Sequence, residues 1–194
     1  MYTSNGFIVQ MEREHIINGI NYQGINNYSW PLIDSNICNN TVKEVQERID
    51  DAQFNPEAII LLTNVEHVKA YVQACRDVDL SCRILYCEAE YSAATVNLGL
   101  HQGYAKETNF IGYDYADRFP DYHSCIANEL LYHSYMFQSE LINRLNEYGL
   151  FNNREDVDKF ILAEKDARRN NKAIYFEKGA FVIYKLFTVP SPIG

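Results

Sequence analysis

The sequence lacks the glycine-rich loops with which nucleotide-binding proteins commonly hold phosphate groups. Neither GxGxxG nor GxxxxGKS/T follows any predicted strand. The chain therefore lacks the type of loop whose backbone N–H groups usually surround a diphosphate. The chain also has no apolar run near the roughly 18 residues of a membrane-spanning segment, and its N-terminus has no basic region followed by an apolar one. We therefore expect no cofactor, no membrane insertion and a cytoplasmic location.

Cysteine is scarce and irregularly spaced. The five cysteines lie mostly in apolar periodic segments and form neither a CxxC pair nor a spacing typical of zinc sites: Cys38, Cys75, Cys82, Cys87 and Cys125. An odd number of thiols in such segments is typical of reduced, buried side chains. The sequence thus predicts no disulfide framework and no metal site.

Basic residues are outnumbered by acidic ones. The 26 Asp and Glu residues exceed the 17 Lys and Arg residues, which gives a net charge of −9. This charge disfavours nucleic acid as a partner and favours a protein with a basic surface. Hydrophobic residues make up 47% of the 194 residues, which excludes general disorder and is enough for one packed core. We expect a single domain spanning residues 1–194.

The middle of the chain alternates strand and helix patterns. Residues 58–62 form a continuous apolar run, Asn64 can cap the amphipathic helix that follows, and residues 82–87 form a second apolar run. This order predicts a βαβ unit with parallel strands. Residues 110–113 predict a third strand of the same sheet, in which Gly112 admits a close neighbour. The predicted fold is α/β: a single layered domain with a mixed sheet around a parallel βαβ core.

Further elements are predicted on either side of this core. Residues 126–145 repeat apolar side chains at helical spacing, and residues 153–171 follow with acidic groups first and basic groups last, so we predict a long helical hairpin. Residues 172–176 and 180–189 predict a C-terminal β-hairpin. Smaller patterns predict an N-terminal hairpin of residues 7–11 and 16–20, a helix over residues 41–53 and a short helix at residues 93–98. The predicted core comprises Ile60, Leu62, Val68, Val72, Ile84, Tyr86, Ile111, Leu130, Phe137, Leu141, Phe160 and Val182.

Acidic and aromatic side chains follow the predicted strands of the sheet. Because ligands of open α/β sheets bind beyond the carboxyl ends of the strands, we expect these side chains to form one negative surface. Tyrosines would supply contact area there, and carboxylates would steer a basic partner. The predicted binding residues are Glu88, Glu90, Tyr91, Asp114, Tyr115, Asp117, Asp121 and Tyr122.

Three ionisable residues near the first long helix are candidate catalytic groups. Glu129 and His133 are four residues apart, which places a carboxylate and an imidazole on one helical face, where they can bind a metal or move a proton. His123 precedes them in the loop. The same spacing is that of an ordinary surface pair, and no second Glu–His pair repeats it as di-metal bundles require. We favour the surface pair and assign no catalytic residue.

Residues 112–130, GYDYADRFPDYHSCIANEL, follow the pattern GYDxA, then YxSxI and an acidic residue. This pattern resembles one that recurs in immunity proteins of bacterial polymorphic toxin systems. The resemblance implies a small acidic cytosolic protein that neutralises a toxin by binding it, without catalysis of its own. We therefore predict a soluble acidic binding protein of immunity type. The alternative is a small metal-dependent or acid/base hydrolase with an Asp/His/Glu cluster at the strand ends.

Overall fold

The structure is a computed structural model. It describes residues 2–11, 15–17, 20–22, 42–44, 47, 58–59, 61–62, 64–91, 96–97, 109–117, 124–126, 139–170 and 181–189. In chain order the elements are β1 (Tyr2–Met11), β2 (His15–Ile17), β3 (Ile20–Tyr22), β4 (Ala58–Ile59), α1 (Val65–Asp77), β5 (Cys82–Tyr91), β6 (Val96–Asn97), β7 (Asn109–Asp117), α2 (Ser139–Ile142), α3 (Arg154–Arg169) and β8 (Phe181–Thr188).

Four long strands form one sheet in the spatial order β1-β5-β8-β7. Every neighbouring pair in this sheet is antiparallel. The predicted mixed sheet with a parallel βαβ core is therefore wrong. An unbroken apolar run indicates burial on both faces of a strand, which is typical of parallel sheets. Strand β5 has the same pattern although it is antiparallel to both neighbours, because Ile84, Leu85, Tyr86 and Cys87 are all buried. Its neighbours are β1 and β8, the first and the last of the described strands.

The three runs predicted as the parallel core occupy different positions. Strand β4 pairs in parallel with β6 in a separate two-stranded sheet. Leu62 forms an isolated bridge to Phe7 at the outer edge of β1. Strands β5 and β7 do belong to one sheet, with β8 between them. Because both are antiparallel to β8, they run in the same direction without being neighbours.

Several smaller predictions also need correction. Strand β1 pairs along its length with β5, and β2 pairs with β3 instead, so the predicted N-terminal hairpin is wrong. Residues 96–97 are extended in β6, where a short helix was predicted. Helix α3 matches the second arm of the predicted helical hairpin. In the first arm, residues 125–126 and α2 are helical, and turns replace the predicted helix from residue 143 onward. The first arm of the predicted C-terminal hairpin lies outside the described residues.

Helices α1 and α3 begin where the sequence provides a side-chain cap. The Asn64 side chain accepts a hydrogen bond from the Glu66 N–H (2.9 Å) at the start of α1. At α3, Asn153 Oδ1 accepts from the Asp156 N–H (3.0 Å), and Asn153 Nδ2 donates to Asp156 Oδ2 (2.8 Å). Both caps satisfy backbone donors that have no partner inside the helix.

The core lies around the central strands. Alternate residues of β5 and β8 are fully buried: Leu85, Cys87, Ala89, Tyr184 and Leu186. The buried side of α1 belongs to the same cluster. Every predicted core residue that the structure describes is buried, whereas Ile60, Leu130 and Phe137 lie outside the described residues. Among the described helices, none is long and apolar enough to cross a membrane.

Each outer edge of the sheet is covered by a short segment that approaches a glycine. Phe7 and Leu62 exchange two backbone hydrogen bonds (2.7 and 2.9 Å), as do Tyr113 and Phe151 (2.8 and 3.1 Å). A Cβ atom at Gly112, whose φ is +146°, would lie 2.5 Å from the Leu150 Cβ. The predicted close neighbour of Gly112 is therefore confirmed, and the backbone conformation also favours glycine there.

The cap of α3 is also an electrostatic link. Arg144 Nη1 lies 2.6 Å from Asp156 Oδ1, and only 5% of the Asp156 side chain is exposed. Burial by itself raises the pKa of Asp156. Hydrogen bonds from Asn153 and Arg144 have the opposite and together larger effect, so the pKa lies below its ordinary value. The carboxylate form thus joins the turn after α2 to the start of α3.

We expect Asp156→Asn to lower the free energy of unfolding at neutral pH by about 1 to 2 kcal/mol, because charge-assisted hydrogen bonds are lost. A group whose pKa is depressed by folding stabilises the protein above its unfolded pKa, near 3.9 for Asp, and this contribution is lost as the pH falls through the folded pKa. Urea unfolding at several pH values should therefore show the two proteins converging below about pH 4. Glu155→Gln, at an exposed neighbouring carboxylate, should change stability by less than about 0.5 kcal/mol. A pH-independent difference between Asp156→Asn and the unmodified protein would contradict this role.

Candidate functional site

Four aromatic rings form a row across one face of the sheet. The strand register aligns Phe7, Tyr86, Phe187 and Phe110 as consecutive partners on β1, β5, β8 and β7. Their ring centroids are 5.6, 5.8 and 5.7 Å apart along the row. These separations and the tilted ring planes are typical of favourable edge contacts between aromatic side chains. We call these four residues the aromatic row.

Exposure increases along the aromatic row. Phe7 is 1% exposed and Tyr86 is 5% exposed, whereas Phe110 is 42% exposed. Phe187, between them, is half-buried, and the ring of Tyr113 lies 5.2 Å from that of Phe110. The row thus begins in the core and ends as a surface of packed aromatic side chains.

A bulge in β7 determines which side chains reach this surface. Phe110 pairs with Phe187 and Gly112 pairs with Leu186, so the register shifts by one residue at Ile111. In a regular strand, Phe110 and Tyr113 would point to opposite faces because side chains alternate. The bulge brings both rings to the same face, and re-aiming side chains in this way is a frequent role of bulges.

An ion pair lies directly beside the exposed end of the row. Lys185 Nζ is 3.2 Å from Glu88 Oε2 and 4.9 Å from the centre of the Phe187 ring. The two charged side chains are 34% and 44% exposed, so water screens their attraction and the pair adds little stability. We call Glu88, Phe110, Tyr113, Lys185 and Phe187 the sheet-face patch.

Helix α3 borders the sheet-face patch on one side. Arg154 Nε at the start of the helix is 3.2 Å from Glu90 Oε2 on β5, and the rings of Phe160 and Tyr115 are 6.3 Å apart. Burial lowers the pKa of Arg154, but the hydrogen bond to Asp158 and the charge of Glu90 raise it above its ordinary value. Arg154 therefore remains a cation that holds α3 against the same face of the sheet.

The reverse face of β5 carries a buried cysteine. Cys87 points away from the sheet-face patch and is fully buried. Burial raises the pKa of the Cys87 thiol, and the charge of Glu88 raises it further. Because the thiolate is the nucleophilic form of cysteine, the raised pKa disfavours the reactive form of Cys87.

The predicted binding residues divide between the two faces. Glu88, Glu90 and Tyr115 lie on the face that carries the sheet-face patch. Asp114 is 0% exposed and pairs with Tyr184 of the opposite, buried face, so it does not belong to an exposed surface. Tyr91 and Asp117 are the last residues of β5 and β7. Asp121 and Tyr122 lie outside the described residues.

Asp114 forms an internal link instead. Its Oδ1 atom accepts hydrogen bonds from Ser124 Oγ (2.8 Å) and from the Tyr115 N–H (2.8 Å). Ala116 and Ser124 form a backbone bridge beside it. Gly112, Asp114, Ala116 and Ser124 all belong to the pattern that resembles immunity proteins. In this chain these positions have structural roles. Gly112 allows the close approach of Leu150, Asp114 and Ser124 share a buried hydrogen bond, and Ala116 forms a backbone bridge to Ser124 at the edge of the sheet.

The candidate catalytic residues His123, Glu129 and His133 lie outside the described residues. Asp114 and Ser124 are adjacent, but Ser124 is 2% exposed and Asp114 is 0% exposed. Within the described part of the chain, no group of three or more His, Cys, Asp or Glu side chains is arranged to hold a metal ion. What the described residues offer is a contact surface.

Phe110, Phe187, Lys185 and Arg154 are the functional candidates that the sequence reasoning missed. The alternation of Ile183, Lys185 and Phe187 indicates that these three side chains share one face of a strand. The sequence carries no comparable signal for the position of that strand between β5 and β7. Phe110 was assigned to the strand, but only the bulge brings it to the open face.

Comparisons of the chain with protein-family models, with curated proteins and with solved structures give no match. A function therefore has to follow from the geometry of the chain itself.

The two ends of the aromatic row should respond differently to truncation. We expect Phe7→Ala to lower the free energy of unfolding by about 3 to 5 kcal/mol, because it leaves a cavity in the core. Phe110→Ala should lower it by less than about 1.5 kcal/mol, because much of this ring already contacts water. Urea unfolding measures both values. Equal losses would contradict the exposure gradient and the use of Phe110 as a surface residue.

Proposed function

We propose that this chain is an acidic binding protein whose partner is a protein with a basic surface, and that the partner is a toxin of the kind that immunity proteins neutralise. The observation that carries the proposal is the position of two carboxylates, Glu88 and Glu90, on the partly open face of the sheet in a chain of net charge −9. Nothing in this function requires catalysis or a cofactor.

Both carboxylates retain an oxygen for a partner. Glu88 and Glu90 each engage Oε2 with a cation of this chain, Lys185 or Arg154. Within the described part of the chain, neither Oε1 atom takes part in a hydrogen bond. A carboxylate can accept several hydrogen bonds, so each has room for an arginine or lysine of the partner.

The charge of the whole chain acts at longer range than these contacts. A net charge of −9 attracts a basic protein over roughly a Debye length, about 8 to 10 Å at physiological salt. This attraction accelerates encounter, and close contacts then determine the lifetime of the complex. Salt should therefore slow association more strongly than it speeds dissociation.

The class of partner rests on the resemblance of residues 112–130 to immunity proteins. Tyr113 of that stretch contributes its ring to the sheet-face patch. The hydrolase alternative depends on His123, Glu129 and His133, and no observation among the described residues favours it. We therefore propose binding alone.

The test compares two charge-matched double variants. Protein captured from a lysate of the source organism is identified, purified and titrated against the unmodified chain at increasing salt. Glu88→Gln with Glu90→Gln should weaken binding at least about tenfold, because hydrogen bonds to charged groups are lost at the interface. Glu147→Gln with Glu155→Gln removes the same charge from exposed positions and should change affinity less than about threefold.

Three outcomes would contradict the proposed function. The first is that no basic protein is captured. The second is that both double variants weaken binding equally, since the position of the carboxylates would then be irrelevant. The third is that the purified chain turns over a small substrate without any protein partner. Thermal unfolding of both double variants controls for loss of structure.

A further inference from the structure

Phe110 differs from the other exposed hydrophobic residue of the described chain. Phe110 and Leu162 are the large hydrophobic side chains that the described residues expose, at 42% and 62%. Leu162 lies on the outer side of α3 among exposed polar residues, as isolated surface leucines commonly do. Phe110 instead lies at the end of a contiguous set of rings, which is the arrangement that marks interaction sites.

The ring of Phe110 is held in place before any partner arrives. Tyr113 contacts it at 5.2 Å and Phe187 at 5.7 Å between ring centroids, both edge to face. The backbone beneath it is fixed by pairing with β8. A partner that covers Phe110 therefore loses little side-chain entropy, which is an advantage of pre-organised aromatic anchors.

The surroundings of Phe187 indicate which charge the partner carries. The ammonium group of Lys185 rests over this ring and against the Glu88 carboxylate, so a ring face and a carboxylate already accommodate one cation here. An arginine of a partner can make the same two interactions: a charge-assisted hydrogen bond to Glu88 Oε1 and a cation–π contact with the exposed rings. The net charge of −9 repels phosphate groups, so nucleic acid does not suit this surface.

We propose that the sheet-face patch is the docking surface for the basic partner, with Phe110 as its apolar anchor and Glu88 as its cation acceptor. The occupant is a segment that places an apolar side chain against Phe110 and a flanking arginine or lysine against Glu88. This proposal rests on the proposed function and adds the location and the chemistry of the interface.

The test uses a peptide probe and two matched variants. The probe is the acetylated and amidated tripeptide Arg-Leu-Arg, titrated into isotopically labelled protein and followed by amide chemical shifts. The largest shift changes should fall on the amides of β5, β7 and β8 around the sheet-face patch. Phe110→Ser should weaken binding of the probe peptide at least about tenfold. Leu162→Ser should change the affinity of the peptide less than about twofold. The peptide Glu-Leu-Glu should produce no such changes.

The outcomes separate the docking surface from the proposed function. Shift changes that spread over the acidic surface, or that are equal in the two serine variants, overturn the docking surface. Capture of a basic protein that binds the Phe110→Ser variant as tightly as the unmodified chain also overturns it and leaves the proposed function standing. Localised peptide binding without any captured basic protein overturns the proposed function and leaves the patch as a site for a cation and an apolar group. Thermal unfolding of both serine variants shows that neither effect comes from loss of structure.

Discussion

The structure depends on the backbone pairing of β8 with both β5 and β7. This pairing places Lys185 opposite both Glu88 and Tyr113, and Phe187 opposite both Tyr86 and Phe110. Without β8, β5 and β7 would have no common neighbour in the sheet, and the rings and charges that we assign to binding would not form one surface. The functional face is therefore a product of tertiary pairing between distant parts of the chain.

The two faces of this sheet differ in burial and in role. One holds the buried side chains of Leu85, Tyr184 and Leu186, together with the buried carboxylate of Asp114. The other changes gradually from core to surface along the aromatic row, and α3 covers only part of it. The same strands thus supply stability on one side and a pre-organised contact surface on the other, which is how rigid elements commonly support binding sites.

The features that were predictable from the sequence are those that arise locally. The caps at Asn64 and Asn153 involve partners two and three residues away, and apolar periodicity identified buried positions such as Val72, Ile84 and Val182. Strand order was not predictable, because Glu88 and Lys185 meet across a separation of 97 residues. The sequence places Asp114 on the surface because the predicted strand ends at Tyr113, whereas β7 continues to Asp117, and the contact of Asp114 with Ser124 could be found only in the fold.

Amide hydrogen exchange of β8 tests the central position of this strand most directly. The slowest amides of a protein lie in its central paired strands, where exchange requires global unfolding. If β8 lies between β5 and β7, the amides of Tyr184 and Leu186 should exchange at the rate of global unfolding, and those of Ala58 and Ile59 should exchange faster. Fast exchange throughout β8, with the slowest amides in residues 58–62, would contradict the antiparallel sheet and the surface built on it.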